Sequence, residues 1–160
     1  MVVLALSGLL AGCAPADYVG TPAQRVRTWV SSTQMGQAVG TILGDAARVD
    51  EAIKAHRGVT VVHTDCAVLL DDTEAANDNL PSPDGRLTDL LSDAYGVEGS
   101  AANDCYDSGG TDAELIAKSE REQAVARRGL LRALARVTQL TGRAVATTTT
   151  TQPGGGGIFG

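Results

Sequence analysis

From Val26 to His56 the chain reads VRTWVSSTQMGQAVGTILGDAARVDEAIKAH. Its apolar residues fall at Val26, Trp29 and Val30, and then at Met35, Val39, Ile42, Ala46, Val49 and Ile53, steps of 4, 3, 4, 3 and 4. Alternating threes and fours keep returning to one face of a helix with 3.6 residues per turn, the spacing by which one helix buries a seam against another. The pattern predicts a single helix from about Ala23 to His56, on the order of 50 Å long at 1.5 Å per residue. Gly58 is its expected stop.

The same periodicity recurs downstream. Val59, Val62, Cys66, Leu69, Thr73, Ala76 and Leu80 form a second stripe. Val59-Thr60-Val61-Val62 taken alone also suits a strand, but no partner strand is evident, so a helix is the better reading. Pro81-Ser82-Pro83-Asp84 closes this element and opens the next, with Ser82 as N-cap, Pro83 at the first helical position and Asp84 in the first turn. The third stripe is Leu87, Leu91, Ala94, Glu98, Ala101 and Cys105, widened by Leu90 and Val97 and softened by Gly96 and Gly99. Ser108-Gly109-Gly110 is a break, and Thr111-Asp112-Ala113-Glu114 has the capping-box pattern. A fourth helix then runs to about Thr141, with Ile116, Gln123, Leu130, Leu134 and Val137 inward and Gly142 as its stop.

Short connections place successive helices antiparallel. The expected fold is therefore all-α, an up-down bundle of about four helices with a long first and last helix. The expected organisation is a leader over 1–12, a tether over 13–22, the bundle over 23–143 and a Thr- and Gly-rich tail over 144–160 too poor in apolar residues to order itself.

Composition narrows the function classes. The 160 residues suit one domain. At 43% hydrophobic but 3% aromatic, the core must be built from Leu, Val, Ile and Ala. A net charge of -6, with no local cluster of Lys and Arg, argues against a nucleic-acid partner, whose phosphates it would repel. No stretch beyond the first dozen residues is apolar for the roughly 20 residues a spanning helix needs. Membrane attachment would have to be covalent or peripheral.

Met1 to Gly12 reads MVVLALSGLLAG, apolar and ending in small residues, followed at once by Cys13, Ala14 and Pro15. This is how a signal peptide ends. Gly8, Gly12 and Pro15 disfavour the competing reading of an apolar helix start with a free thiol. Leu10-Ala11-Gly12-Cys13 resembles the lipobox of bacterial lipoproteins. That resemblance implies cleavage before Cys13, diacylglycerol on the Cys13 sulfur and often a further acyl chain, such as palmitate, on the new amino group. Two chains at about 0.8 kcal/mol per buried CH₂ anchor stably, whereas one is marginal. The chain departs from the pattern in having no Lys or Arg before the apolar run, so the reading expects a start codon upstream of Met1.

With Cys13 lipidated, Cys66 and Cys105 remain, in a compartment where disulfides persist, and they can pair only with each other. The alternatives are a metal site or a catalytic thiol. There is no Cys-x-x-Cys, and His56 and His63 lack zinc-site spacing. The acidic residues Asp65, Asp71, Asp72, Glu74 and Asp78 fall all round a helix and lack the loop spacing of a calcium site. Trp29 reads as a core anchor, with a lipid or partner contact as the rival role.

Asn77-Asp78-Asn79-Leu80-Pro81-Ser82-Pro83-Asp84, Leu87-Thr88-Asp89-Leu90-Leu91 and Ala101-Ala102-Asn103-Asp104-Cys105-Tyr106 together resemble a pattern of small exported helical proteins of high-GC Gram-positive bacteria. That resemblance implies a fold and a location, and no chemistry. No Gly-x-Ser-x-Gly, Walker loop, His-Glu-x-x-His or Glu-x-x-His motif occurs, so an enzyme has nothing to rest on and no cofactor is expected. Three functions follow as expectations. The first is a non-enzymatic interaction or accessory module, lipid-anchored through Cys13 at the outer face of the plasma membrane and contacting another envelope protein. The second is a carrier of a small ligand or lipid between its helices, and the third a thiol-disulfide protein using Cys66 and Cys105.

Overall fold

The computed structural model describes residues 18–148. The apolar leader and the first half of the tether, 13–17 with Cys13, lie outside the described residues, as do 149–160. Five helices follow one another: α1 (Pro22–Ser32), α2 (Met35–Lys54), α3 (Val59–Asn77), α4 (Gly85–Ser108) and α5 (Ala113–Thr141). Among the described residues there is no strand.

The helix expected from Ala23 to His56 is two helices, α1 and α2. The apolar stripe steps by five from Val30 to Met35, and Ser31-Ser32-Thr33-Gln34 occupies the gap. The hydroxyls of Ser32 and Thr33 both donate to the Trp29 carbonyl oxygen, at 3.1 and 2.8 Å, and Gln34 turns into the left-handed region at φ 51°. Ser and Thr compete with the helical ladder in this way, and here they end it. Thr21 caps α1 with a reciprocal box to Gln24, and Pro22 stands at the first helical position.

Two expected caps move by one or two residues. Asp84, not Ser82, caps α4: its Oδ1 accepts from Leu87 N at 2.8 Å, while its carboxylate receives Arg136 of α5 at 3.1 and 2.9 Å. Ser82 instead knits the preceding turn through Asp84 and Thr88. Asp112, not Thr111, caps α5 through Glu114 N and Leu115 N. Gly58 sits ahead of α3 at φ 86°, whereas α2 has already ended at Lys54. Gly142 does close α5, in the left-handed conformation at φ 70°.

Packing follows chain order. α3 lies between α2 and α4, α4 packs most extensively on α5, and α1 leans on α5 and α2. The core is aliphatic, with Val26, Val39, Ile42, Val49, Leu69, Leu87, Leu91 and Leu130 all within 1% of full burial and Trp29 beside them. Trp29 spends its Nε1–H on the Asn79 carbonyl at 3.2 Å. It is a core anchor, as a buried indole with a satisfied N–H should be.

Cys66 and Cys105 form a disulfide, with Cα atoms 5.9 Å apart and both residues fully buried. It ties α3 to α4 across 39 residues. α4 runs unbroken through Gly96 and Gly99, and seven residues, 78–84, connect it to α3.

α5 approaches α4 closely at Gly129, where a Cβ would lie 2.8 Å from the Ala94 Cβ of α4. Gly129→Ala should therefore destabilise by about 1–2 kcal/mol despite its better helix propensity, because the clash is with a short, rigid side chain. Urea unfolding checks this. Ala94→Gly in the same chain should recover most of the loss, and a double variant no better than Gly129→Ala would refute the packing account.

After α5 the chain turns back. Residues 144–148, the first of the expected tail, run beside α2, with Val145 packed on the core. Gly36 and Gly40 make room for them. A Cβ at Gly36 would overlap the Ala146 carbonyl oxygen, and one at Gly40 would stand 2.6 Å from that of Thr148.

Candidate functional site

The α2–α5 seam is the least closed between the long helices, and a groove opens along it. Its volume is about 430 Å³, within the range of small-ligand sites. Leu43, Ala46 and Ala47 of α2 face Ala124 of α5 across it. The short Ala side chains on both walls leave the space that larger ones would fill.

Glu98 of α4 lines this groove. It occupies a core position of its helix, between Ala94 and Ala101 on the buried stripe, so the fold carries its carboxyl inward whatever the charge. It is 1% exposed, and its Oε1 has no hydrogen-bond partner among the described residues. Burial disfavours the charged form and pushes its pKa up to about 7. Buried carboxylates are ordinarily paired, so an unpaired one facing a groove is a feature to be explained by what enters the groove.

The neighbours do not supply the missing partner. Gln123 of α5 also lines the groove, but its Nε2 is turned to Ser119 Oγ at 3.5 Å, and Ser119 Oγ donates in turn to the Ala101 carbonyl at 2.7 Å. Gln123 brings to the groove an amide oxygen, a second acceptor, and one further Nε2 hydrogen. Farther out stand Asp50 and Lys54 of α2, paired at 3.1 Å, and Glu120 and Arg127 of α5.

A second buried carboxyl, Asp45 of α2, has another explanation. It is 1% exposed, with Oδ1 held by Arg48 at 2.6 Å. Burial, with the Asp72 carboxyl of α3 within hydrogen-bonding reach, pushes its pKa up to about 7. A negative charge that close disfavours ionisation of Asp45 in addition to burial, while Arg48 opposes both. This pair is an α2–α3 contact and lines no groove described here.

A larger groove of about 550 Å³ between α3 and α4 is floored by Gly96 and Gly99 and lined by Thr73, Tyr95 and Asn103. Its buried polar side chains are satisfied or neutral: Thr73 Oγ1 donates to the Leu69 carbonyl at 2.7 Å, and burial raises the Tyr95 hydroxyl to about 12.

The residues singled out in the sequence are not drawn into one site. His63 stacks on Tyr106 with ring centroids 4.4 Å apart, and His56 lies exposed after α2 at φ 50°. Among the described residues no group of three or more His, Cys, Asp or Glu side chains is placed to hold a metal ion, the acidic residues from Asp65 to Asp78 included. No described helix is long and apolar enough to cross a membrane. Glu98 and Gln123 were legible as inward-facing positions but not as a site. The available signal was a carboxylate at a core position of a stripe, with no basic residue at a core position of the other stripes to pair it. Comparison with known proteins gives no match to a protein-family model, a curated protein or a solved structure.

Proposed function

We propose that this chain is an extracytoplasmic lipoprotein, anchored through Cys13 at the outer face of the plasma membrane, whose helical bundle serves as a non-enzymatic binding or accessory module of the envelope. The observation that carries the reading is the Cys66–Cys105 disulfide inside the core, since such bonds persist in oxidising compartments. With those two cysteines paired, Cys13 is the remaining one, and it stands in the lipobox-like Leu10-Ala11-Gly12-Cys13. The full burial of both bonded cysteines favours a structural staple over the thiol-disulfide reading, because exchange requires an accessible sulfur.

Intact mass of the membrane-extracted protein, with and without reduction and alkylation, tests the placement. The expected species begins at Cys13, carries acyl chains and exposes two thiols only after reduction. An unlipidated chain with three free thiols would overturn it.

The groove over Glu98 favours a second reading of the same module, a carrier of a small ligand between α2 and α5. Gentle extraction followed by native mass spectrometry should then show a bound small molecule that denaturation releases.

A further inference from the structure

We infer that the α2–α5 groove binds a small primary alkylammonium ligand, whose ammonium group sits on Glu98 with the Gln123 amide oxygen as a second acceptor. The inference deepens the carrier reading and rests on it.

The floor is the strongest observation. Glu98 is buried to 1% exposure, lines the groove and has an Oε1 with no partner among the described residues. An ammonium has three N–H donors and no acceptor, so it can supply both the donor and the counter-charge that the buried Glu98 carboxylate lacks. Gln123 lines the same groove and carries an amide oxygen that can act as a second acceptor. The walls suit the rest of the molecule: small apolar side chains can enclose a short alkyl stem but give it no polar partner.

Charge selects a monocation. With Glu98 ionised, the lining holds three acidic groups, Asp50, Glu98 and Glu120, against two basic ones, Lys54 and Arg127, one net negative charge. Lys54 and Arg127 disfavour a second positive charge in the ligand, and the unpartnered Glu98 disfavours an anion. A neutral alcohol could donate one hydrogen bond but would leave a buried charge uncompensated. Binding an ammonium also displaces the proton that an empty, buried Glu98 holds at mildly acidic pH, so the proton and the ligand compete for one carboxylate.

The test uses the oxidised full-length chain, titrated with n-butylammonium while amide chemical shifts are followed by NMR, with n-butanol and n-pentanoate as neutral and anionic controls. Saturable shifts at Glu98, Gln123 and their groove neighbours, about tenfold weaker at pH 6 than at pH 8, are expected for n-butylammonium. Glu98→Gln, which keeps the shape and removes a buried charge, should abolish them. Equal binding of n-butylammonium by Glu98→Gln, or no pH dependence, overturns the inference. Binding of n-butanol or n-pentanoate in preference overturns the ammonium but leaves a small-ligand groove. No groove shift with any of the three removes both.

Discussion

Reducing the Cys66–Cys105 bond, or replacing both residues by Ala, is expected to lower the unfolding free energy by about 4 kcal/mol. The loop it closes spans 39 residues, and releasing it returns roughly that much conformational freedom to the unfolded chain. The loss is large against the 5–15 kcal/mol typical of a small domain and corresponds to a fall in Tm of about 15 °C. The segment freed includes the second half of α3, the turn before α4 and most of α4, whose contacts on α5 are the most extensive in the bundle. Urea unfolding of oxidised and reduced protein measures the effect directly. Coincident midpoints would mean that the α3–α4 pair is fully held by its packing.

The second large effect is a gain. Glu98→Gln should raise the stability at pH 8 by about 3 kcal/mol and change it little at pH 5. Glu98 has a folded pKa of about 7 against 4.5 for an ordinary Glu. Between those values the folded protein keeps a proton that the unfolded chain has lost, so stability falls as pH rises through the window. Above pH 7 the whole cost of the buried charge is present, at about 1.4 kcal/mol per pH unit of displacement. Asp45 adds to the trend with the same sign, starting near pH 4, because burial and Asp72 also hold its pKa up to about 7. The opposing limb comes from Asp84, whose bonds to Arg136 hold its pKa down, so its contribution disappears in strong acid. The wild-type chain should be most stable near pH 4–5 and less stable at pH 8. Thermal melts across pH 4–9 check this, and a Glu98→Gln profile parallel to wild type would refute the assignment. Excess alkylammonium at pH 8 should stabilise wild type and leave Glu98→Gln unmoved, linking this profile to the groove.

Much of the fold was legible because helix faces are local. Val62, Cys66, Leu69, Thr73 and Ala76, and all of Leu87, Leu91, Ala94, Glu98, Ala101 and Cys105, are buried as their spacing requires. The last helix was read with a broken register. The buried positions of α5 are Ser119, Gln123, Ala126, Gly129, Leu130, Ala133 and Val137, and the small ones among them escape a search for bulky side chains. The break at Gln34 was visible as a five-residue step but was bridged, because a single gap in a stripe is weak against the residues on either side of it.

By itself the sequence determined that the chain is helical, which face of α3 and α4 turns inward, and that Cys66 and Cys105 lie on such faces. These properties depend on neighbours three and four residues apart. Only the tertiary structure decided that α1 separates from α2, that Asp45 meets Asp72, and that Glu98 lies against a groove with its Oε1 unpartnered. Each depends on how far apart and at what height separate helices sit. That is set by side-chain volumes at their contacts, such as Gly129 against Ala94 where α4 and α5 close and the alanines where α2 and α5 stand open.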